Sequence, residues 1–264
     1  MFALDSARIE STSPGWQVSV VDSIASTQDR VAAMAGSGAM APAALFARQQ
    51  TQGRGRRGQP WHSPMGENLA FSALLDPPGS PALWPRITAL SALALCLSIE
   101  QALGLRALIK WPNDLWMQSA KVAGLLADVV QGPQGPRLVL GVGLNVNSLN
   151  FPPHLQTLAT SLRLQLGPSQ PVIDLNTLAS CILCQLATQL ERIEEGYAAA
   201  LEEIRQRSLL LGRWVEWQAQ GRHWRAKALD LNSEGHLLLK DSEGATHCLS
   251  SAESIRPIDD EAAI

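Results

Sequence analysis

Residues 50–61 read Gln-Thr-Gln-Gly-Arg-Gly-Arg-Arg-Gly-Gln-Pro-Trp, and three glycines with a proline in so short a stretch can form neither a helix nor the interior of a strand. The chain must therefore fold as regular elements that hold an irregular, arginine-bearing loop between them. Residues 31–66 contain no Asp or Glu, yet they carry Arg48, Arg54, Arg56 and Arg57. These arginines have no acidic neighbours in sequence, on a loop whose glycines let backbone N–H groups come close to a ligand. A planar guanidinium grips carboxylate or phosphate through two parallel hydrogen bonds, so an anion site is one reading. A solvated loop or a protein-binding patch is the other.

Elsewhere charge is balanced. Residues 1–210 hold 15 basic and 15 acidic side chains, residues 211–258 hold 6 of each, and the net −3 comes from Asp259, Asp260 and Glu261 in an acidic tail, 259–264. Wrapping a nucleic acid takes a basic face or stripe, so no nucleic-acid partner is expected. The longest uncharged apolar run, 87–99, has 13 residues against the ~20 of a membrane span, which reads as a core helix and no membrane contact. The start, Met-Phe-Ala-Leu-Asp, has neither a basic nor an apolar leader region, and the expected location is the cytoplasm. Cys181-x-x-Cys184 lies inside a helical pattern and reads as helix packing, and the histidines show no metal-ligand spacing, so no protein-bound metal is expected.

Alternation and turn signals predict strands at 16–21, 43–49, 68–75, 106–111, 121–130 and 137–146, and helices at 26–35, 82–103, 174–195 and 197–210. Ser26 stands where an N-cap opens the first of these helices. After Gly212 the texture changes to short alternating runs at 214–218, 224–231, 235–240 and 245–249, separated by Gln220-Gly221, 232–235 and 241–244. That pattern predicts a small antiparallel barrel. The organisation is thus residues 1–210, residues 211–258 and the tail. Trp84, Trp214, Trp217 and Trp224 are expected in the core or the barrel.

Three further segments carry chemistry. Lys110-Trp111-Pro112-Asn113-Asp114 closes a strand with a rigid turn that delivers an amide and a carboxylate at one point. Lys121-Val122-Ala123-Gly124 puts a lysine at the mouth of an apolar strand, where it needs an anion unless it is a flanking charge. In Gly141-Val142-Gly143-Leu144-Asn145 the glycines imply close backbone approach by something, and the asparagine offers neutral polar recognition. No Walker A or dinucleotide-type glycine motif is present.

These four segments, in this order and at this spacing, resemble the biotin protein ligases over about residues 16–258. The resemblance implies an α/β (α+β) fold: a mixed β-sheet with flanking helices, like class II aminoacyl-tRNA synthetases, plus a C-terminal SH3-like barrel. It implies the form without an N-terminal DNA-binding domain, because the Ser-Thr pair already stands at Ser26 and Thr27. It implies that ATP, with Mg²⁺, activates biotin to biotinyl-5′-AMP, and that biotin then passes to a lysine of a biotin carboxyl carrier protein, an acetyl-CoA carboxylase subunit. The expected state is a monomer or weak homodimer. A lipoate or octanoate ligase or transferase of the same fold, or a non-catalytic adaptor, are the alternatives.

By the same resemblance, Ser26, Thr27, Gln28, Gln50, Gly53, Gly55 and Gly124 would bind biotin together with Arg54, Arg56 and Lys121. Arg56, Arg57, Trp61, Lys110, Asn113 and Asn145 would bind the nucleotide. Lys121, Arg54, Arg56, Asn113 and Asp114 would serve catalysis. The chain departs from the family's Ser-Thr-Asn at Gln28, and from its usual arginine at Gln59.

Overall fold

The computed structural model describes residues 3–219 and 222–258; the turn expected at Gln220-Gly221 and the acidic tail 259–264 lie outside the described residues. A seven-stranded sheet runs in the order β1-β2-β3-β7-β6-β5-β4. Its strands are β1 (Gln17–Ile24), β2 (Ala43–Gln50), β3 (Leu69–Leu75), β4 (Leu108–Lys110), β5 (Asp114–Met117), β6 (Ala120–Gly132) and β7 (Gly135–Leu144). Only β1 and β2 pair in parallel; every other neighbouring pair is antiparallel. A parallel pair needs a crossover, which α2 (Thr27–Gly36) supplies.

The sheet is covered on both faces, and β2 shows how. Ala44 and Phe46 join the larger core, whereas Ala43 and Leu45 join a smaller cluster with Val31 and Ala35 of α2, the two-residue alternation of a strand. The larger core also takes in α3 (Pro85–Leu103) and α5 (Leu175–Leu190). α3 is long and apolar enough to cross a membrane by length and composition, and 56% of it is buried inside the molecule. It ends on Gly104, whose left-handed backbone (φ 66°) lets its N–H reach the Glu100 carbonyl. Cys181 lies on α5 with its thiol toward the Ser98 carbonyl of α3, as helix packing requires.

Beyond α6 (Tyr197–Gln206) the chain builds a second, antiparallel sheet from β8 (Trp214–Ala219), β9 (Arg222–Leu231), β10 (Leu237–Lys240), β11 (Thr246–Leu249) and β12 (Glu253–Ile258). Its order is β11-β10-β9-β8-β12, with no pairing between β11 and β12 among the described residues. Trp217, Ala228, Leu239 and Ile255 belong to the same core cluster as α3 and the large sheet. The Trp111 indole donates to the Gly235 carbonyl at 3.0 Å, tying the two sheets beside the turn at Pro112.

Four elements escaped the sequence pattern: α1 (Ser6–Ser11), β5, α4 (Leu162–Leu166) and β12. β5 begins at Asp114, so the turn expected there is tighter than it looked and returns at once as a strand. In β12 the alternation is broken by Ser254, at φ 50°, and by a register shift between Glu253 and Arg256.

Candidate active site

The loop, the start of α2, the β4–β5 turn and the middle of β6 and β7 converge on one cavity of about 510 Å³. Its floor is glycine. Gly124 and Gly143 face each other across β6 and β7, and Gly141 lies one pleat along. A Cβ on Gly143 would lie 2.2 Å from the Trp61 indole, one on Gly141 would lie 2.6 Å from Gln28 Oε1, and one on Gly124 would meet Lys121 Nζ at 3.0 Å. The glycines implied close approach, and these three side chains are what approaches.

At one end the side chains are neutral and already paired. Ser26 caps α2, accepting from the Asp29 N–H at 3.4 Å. Gln50 Oε1 accepts from the Thr27 N–H at 2.8 Å, and its distance to Thr27 Oγ1 is 3.0 Å. Thr27 Oγ1 lies 2.9 Å from Ser72 Oγ, and the Ser72 hydroxyl donates to Gln28 Oε1 at 3.0 Å. Ser26, Thr27, Gln28 and Ser72 are all buried, so these bonds offset a desolvation cost that each would otherwise carry alone.

The other end is cationic. Arg54, Arg56, Arg57, Lys110 and Lys121 line the cavity, and Asp114 brings a carboxylate to the same wall. Asp114 pairs with Lys121 at 2.7 Å, the anion that the apolar strand demanded. Arg56 donates to a neutral group, Asn113 Oδ1 at 3.0 Å, while Asn113 Nδ2 is fixed by the Leu125 carbonyl at 2.7 Å. Lys110 lies over the Trp116 ring at 4.5 Å. Burial, followed by repulsion from Arg57, lowers the Arg56 pKa. Burial, opposed by Asp114 and assisted by Lys121 and Arg256, lowers that of Lys110. A bound anion would relieve both.

The loop is held at its neck by glycine of a different kind. A Cβ on Gly53 would collide with the Trp61 carbonyl at 2.8 Å, and Trp61 N–H closes the neck onto the Gly53 carbonyl at 2.8 Å. Between them Arg57 and Gly58 take positive φ. Within the acid-free stretch, Arg48 pairs with Asp22 and Arg54 with Asp29, partners contributed by earlier elements. Arg54 and Asp29 are both exposed, and such a pair contributes only about 0–1 kcal/mol, so Arg54 can exchange it for a ligand.

Of the expected site residues, Ser26, Thr27, Gln28, Gln50, Arg54, Gly55, Arg56, Arg57, Trp61, Lys110, Asn113, Asp114, Lys121 and Gly124 line this cavity. Gly53 and Asn145 do not. Gly53 shapes the loop neck, and the Asn145 carboxamide donates to the Thr160 carbonyl at 3.0 Å, fastening the segment after β7. Sequence reasoning missed Ser72, which sits in the uniformly buried β3 with no alternation to single it out. It also missed the second sheet's share of the wall, Ala252, Ser254 and Ile255. Among the described residues no group of three or more His, Cys, Asp or Glu could hold a metal ion. The Asp114 carboxylate and the Asn113 amide suit a Mg²⁺ ion that arrives on a substrate's phosphates, since that ion keeps several waters and takes few protein ligands.

Residues 20–145 match the model of the biotin/lipoate A/B protein ligase family. The chain is 33% identical over 251 residues to the biotin–[acetyl-CoA-carboxylase] ligase of Mycobacterium tuberculosis, covering 91% of this chain and 90% of that one. It is 30% identical over 226 residues to the bifunctional ligase/repressor BirA of Bacillus subtilis, covering 84% and 69%. Among solved structures, the biotin protein ligase of Aquifex aeolicus in complex with biotin and ATP superposes with a TM-score of 0.79 at 26% identity, covering 91% of this chain and 99% of that one. This chain belongs to the biotin/lipoate A/B protein ligase family, among its biotin protein ligases.

Proposed function

We propose that the chain is an ATP-dependent biotin protein ligase. In the first step a biotin carboxylate oxygen attacks the α-phosphorus of ATP, and pyrophosphate leaves to give biotinyl-5′-AMP. In the second, a neutral lysine amine of the carrier attacks the anhydride carbonyl, AMP leaves, and an amide remains. The carrier is a biotin carboxyl carrier protein of acetyl-CoA carboxylase, the enzyme named for the mycobacterial relative.

The observation that carries this reading is the polarity of the cavity, neutral and hydrogen-bonded at one end and cationic at the other. Two unit charges ~3.5 Å apart repel by about 5 kcal/mol at an effective dielectric of 20, so joining a carboxylate to a phosphate needs fixed positive charge more than it needs a better nucleophile. Lys121 takes the carboxylate and the non-bridging α-phosphate oxygens. Ser26, Thr27 and Gln50 hold the ureido head, and Arg54, Gly55 and Arg56 close over the bound biotin. Trp61 packs on adenine, with Lys110 and Arg57 toward the phosphates. Mg²⁺ supplies charge neutralisation along the phosphates, and Asn113 and Asp114 are the residues that would face it. Asp114 also takes up the proton of the carrier lysine. Closing the loop excludes water from an anhydride that would otherwise hydrolyse.

We read residues 1–210 as the catalytic unit and 211–258 as an SH3-like unit, supported by the change of sheet after Gly212. The test is pyrophosphate–ATP exchange. Biotin-dependent exchange, followed by a biotin-sized mass gain on the carrier domain, is the expected result. Octanoate-dependent exchange would make the chain a lipoate-type ligase, and no exchange with either acid would make it an adaptor.

A further inference from the structure

Gln28 is one of the two positions where this chain departs from the family pattern, and its surroundings give it a task. The carboxamide lies on Gly141 with Nε2 donating to Asp128 Oδ2 at 3.0 Å and to the Val139 carbonyl at 3.1 Å. Both partners can only accept, so the amide has one permitted orientation: nitrogen toward them and Oε1 toward Ser72. Oε1 has no proton, so at 3.0 Å the Ser72 hydroxyl must be the donor. The Ser72 hydrogen is thereby committed. Thr27 has a single hydroxyl hydrogen for two acceptors, Ser72 Oγ at 2.9 Å and Gln50 Oε1 at 3.0 Å. The hydroxyl pair is left with lone pairs and no free hydrogen. Gln50 Oε1 already accepts from the Thr27 N–H, and its Nε2 hydrogens can donate to the ligand.

We propose that Gln28 and Asp128 are positioning residues that fix the Ser72 hydroxyl as an acceptor, making the neutral end of the cavity selective for a ligand head that brings N–H donors. Asp128 does not line the cavity; it acts through Gln28. A cyclic urea, with two N–H groups and one carbonyl, meets this pattern. An alkyl chain would leave the buried lone pairs unmatched, and a ring oxygen in place of N–H would face them directly. The proposal rests on the biotin reading and deepens it.

The experiment measures dissociation constants by calorimetry for biotin and for the two cyclic carbamates in which one or the other urea N–H is replaced by oxygen. In the unaltered protein biotin is preferred over the more discriminated carbamate by about 100-fold or more. In Gln28→Leu the Ser72 hydroxyl is released to donate to the ring oxygen, and that preference falls by about tenfold or more. In Asp128→Asn, where the Val139 carbonyl still orients the amide, it falls by about threefold, and this milder variant decides the matter if Gln28→Leu does not fold. An unchanged preference in the variants, with all ligands weakened alike, would reduce Gln28 and Asp128 to packing and overturn the proposal. Failure of the unaltered protein to bind biotin would instead overturn the reading beneath it.

Discussion

At the neutral end of the cavity Ser26, Thr27, Gln28, Gln50 and Ser72 are bonded to one another or to backbone before any ligand arrives; at the cationic end Arg56 has an amide and Lys110 an indole for company. Burial depresses the pKa of both cations, whereas the side chains that line the neutral end carry no charge and meet one only behind them, where Gln28 donates to Asp128. The first end is therefore preorganised and selects by hydrogen-bond pattern. The second is held in a state that an anion improves, and it drives chemistry rather than recognition. Asp114 tempers the cationic end: its carboxylate lies in the wall and pairs with Lys121.

That division can be broken from either side. The largest effect is expected from Lys121→Ala, which should lower biotin-dependent pyrophosphate exchange by about 1000-fold while a thermal melt remains cooperative. Gly143→Ala comes next, because its Cβ would occupy the place of the Trp61 ring. It should cost about 100-fold in kcat/KM for ATP and leave the biotin Kd within a few-fold, as titration of each ligand separately would show. Gly141→Ala, whose Cβ would displace Gln28, should do the reverse, raising the biotin Kd by about tenfold with little change in KM for ATP.

A smaller and pH-dependent effect is expected at Lys110. Its lowered pKa means that the ammonium is lost below the ordinary lysine range, so ATP affinity should fall as pH rises toward that range. Lys110→Arg should carry binding to higher pH; identical alkaline limbs in the two proteins would remove Lys110 from the phosphate side. Smallest of all is Asp29→Asn, which releases an exposed pair and should change stability by under about 0.5 kcal/mol in a denaturant titration.

Much of this could be read from sequence because the relevant residues break local rules. Arg54, Arg56 and Arg57 stand in a segment with no acids, Lys121 enters an apolar strand, and the 141–143 glycines weaken a strand that otherwise reads well. Each is a local cost that only a site explains. What stayed hidden obeys its surroundings. Ser72 is one small residue in a buried strand, Asp128 is one more polar residue on a half-exposed one, and Ser254 reaches the cavity only because a distorted strand of the second sheet folds back beside the first. Asn145 reads in the sequence as a recognition residue, and the structure adds a bond that no sequence window shows, from its amide to the Thr160 carbonyl. Long-range pairing decides such cases, and no window of sequence contains it.

The electrostatic claim is tested most directly by binding biotin with and without a non-hydrolysable ATP analogue, in the unaltered protein and in Lys121→Ala, using the neutral alcohol biotinol as the control. The nucleotide should leave biotin affinity undiminished in the unaltered protein, weaken it by about tenfold or more in the variant, and leave biotinol alone in both. Equal coupling of biotin and nucleotide in the two proteins would contradict it.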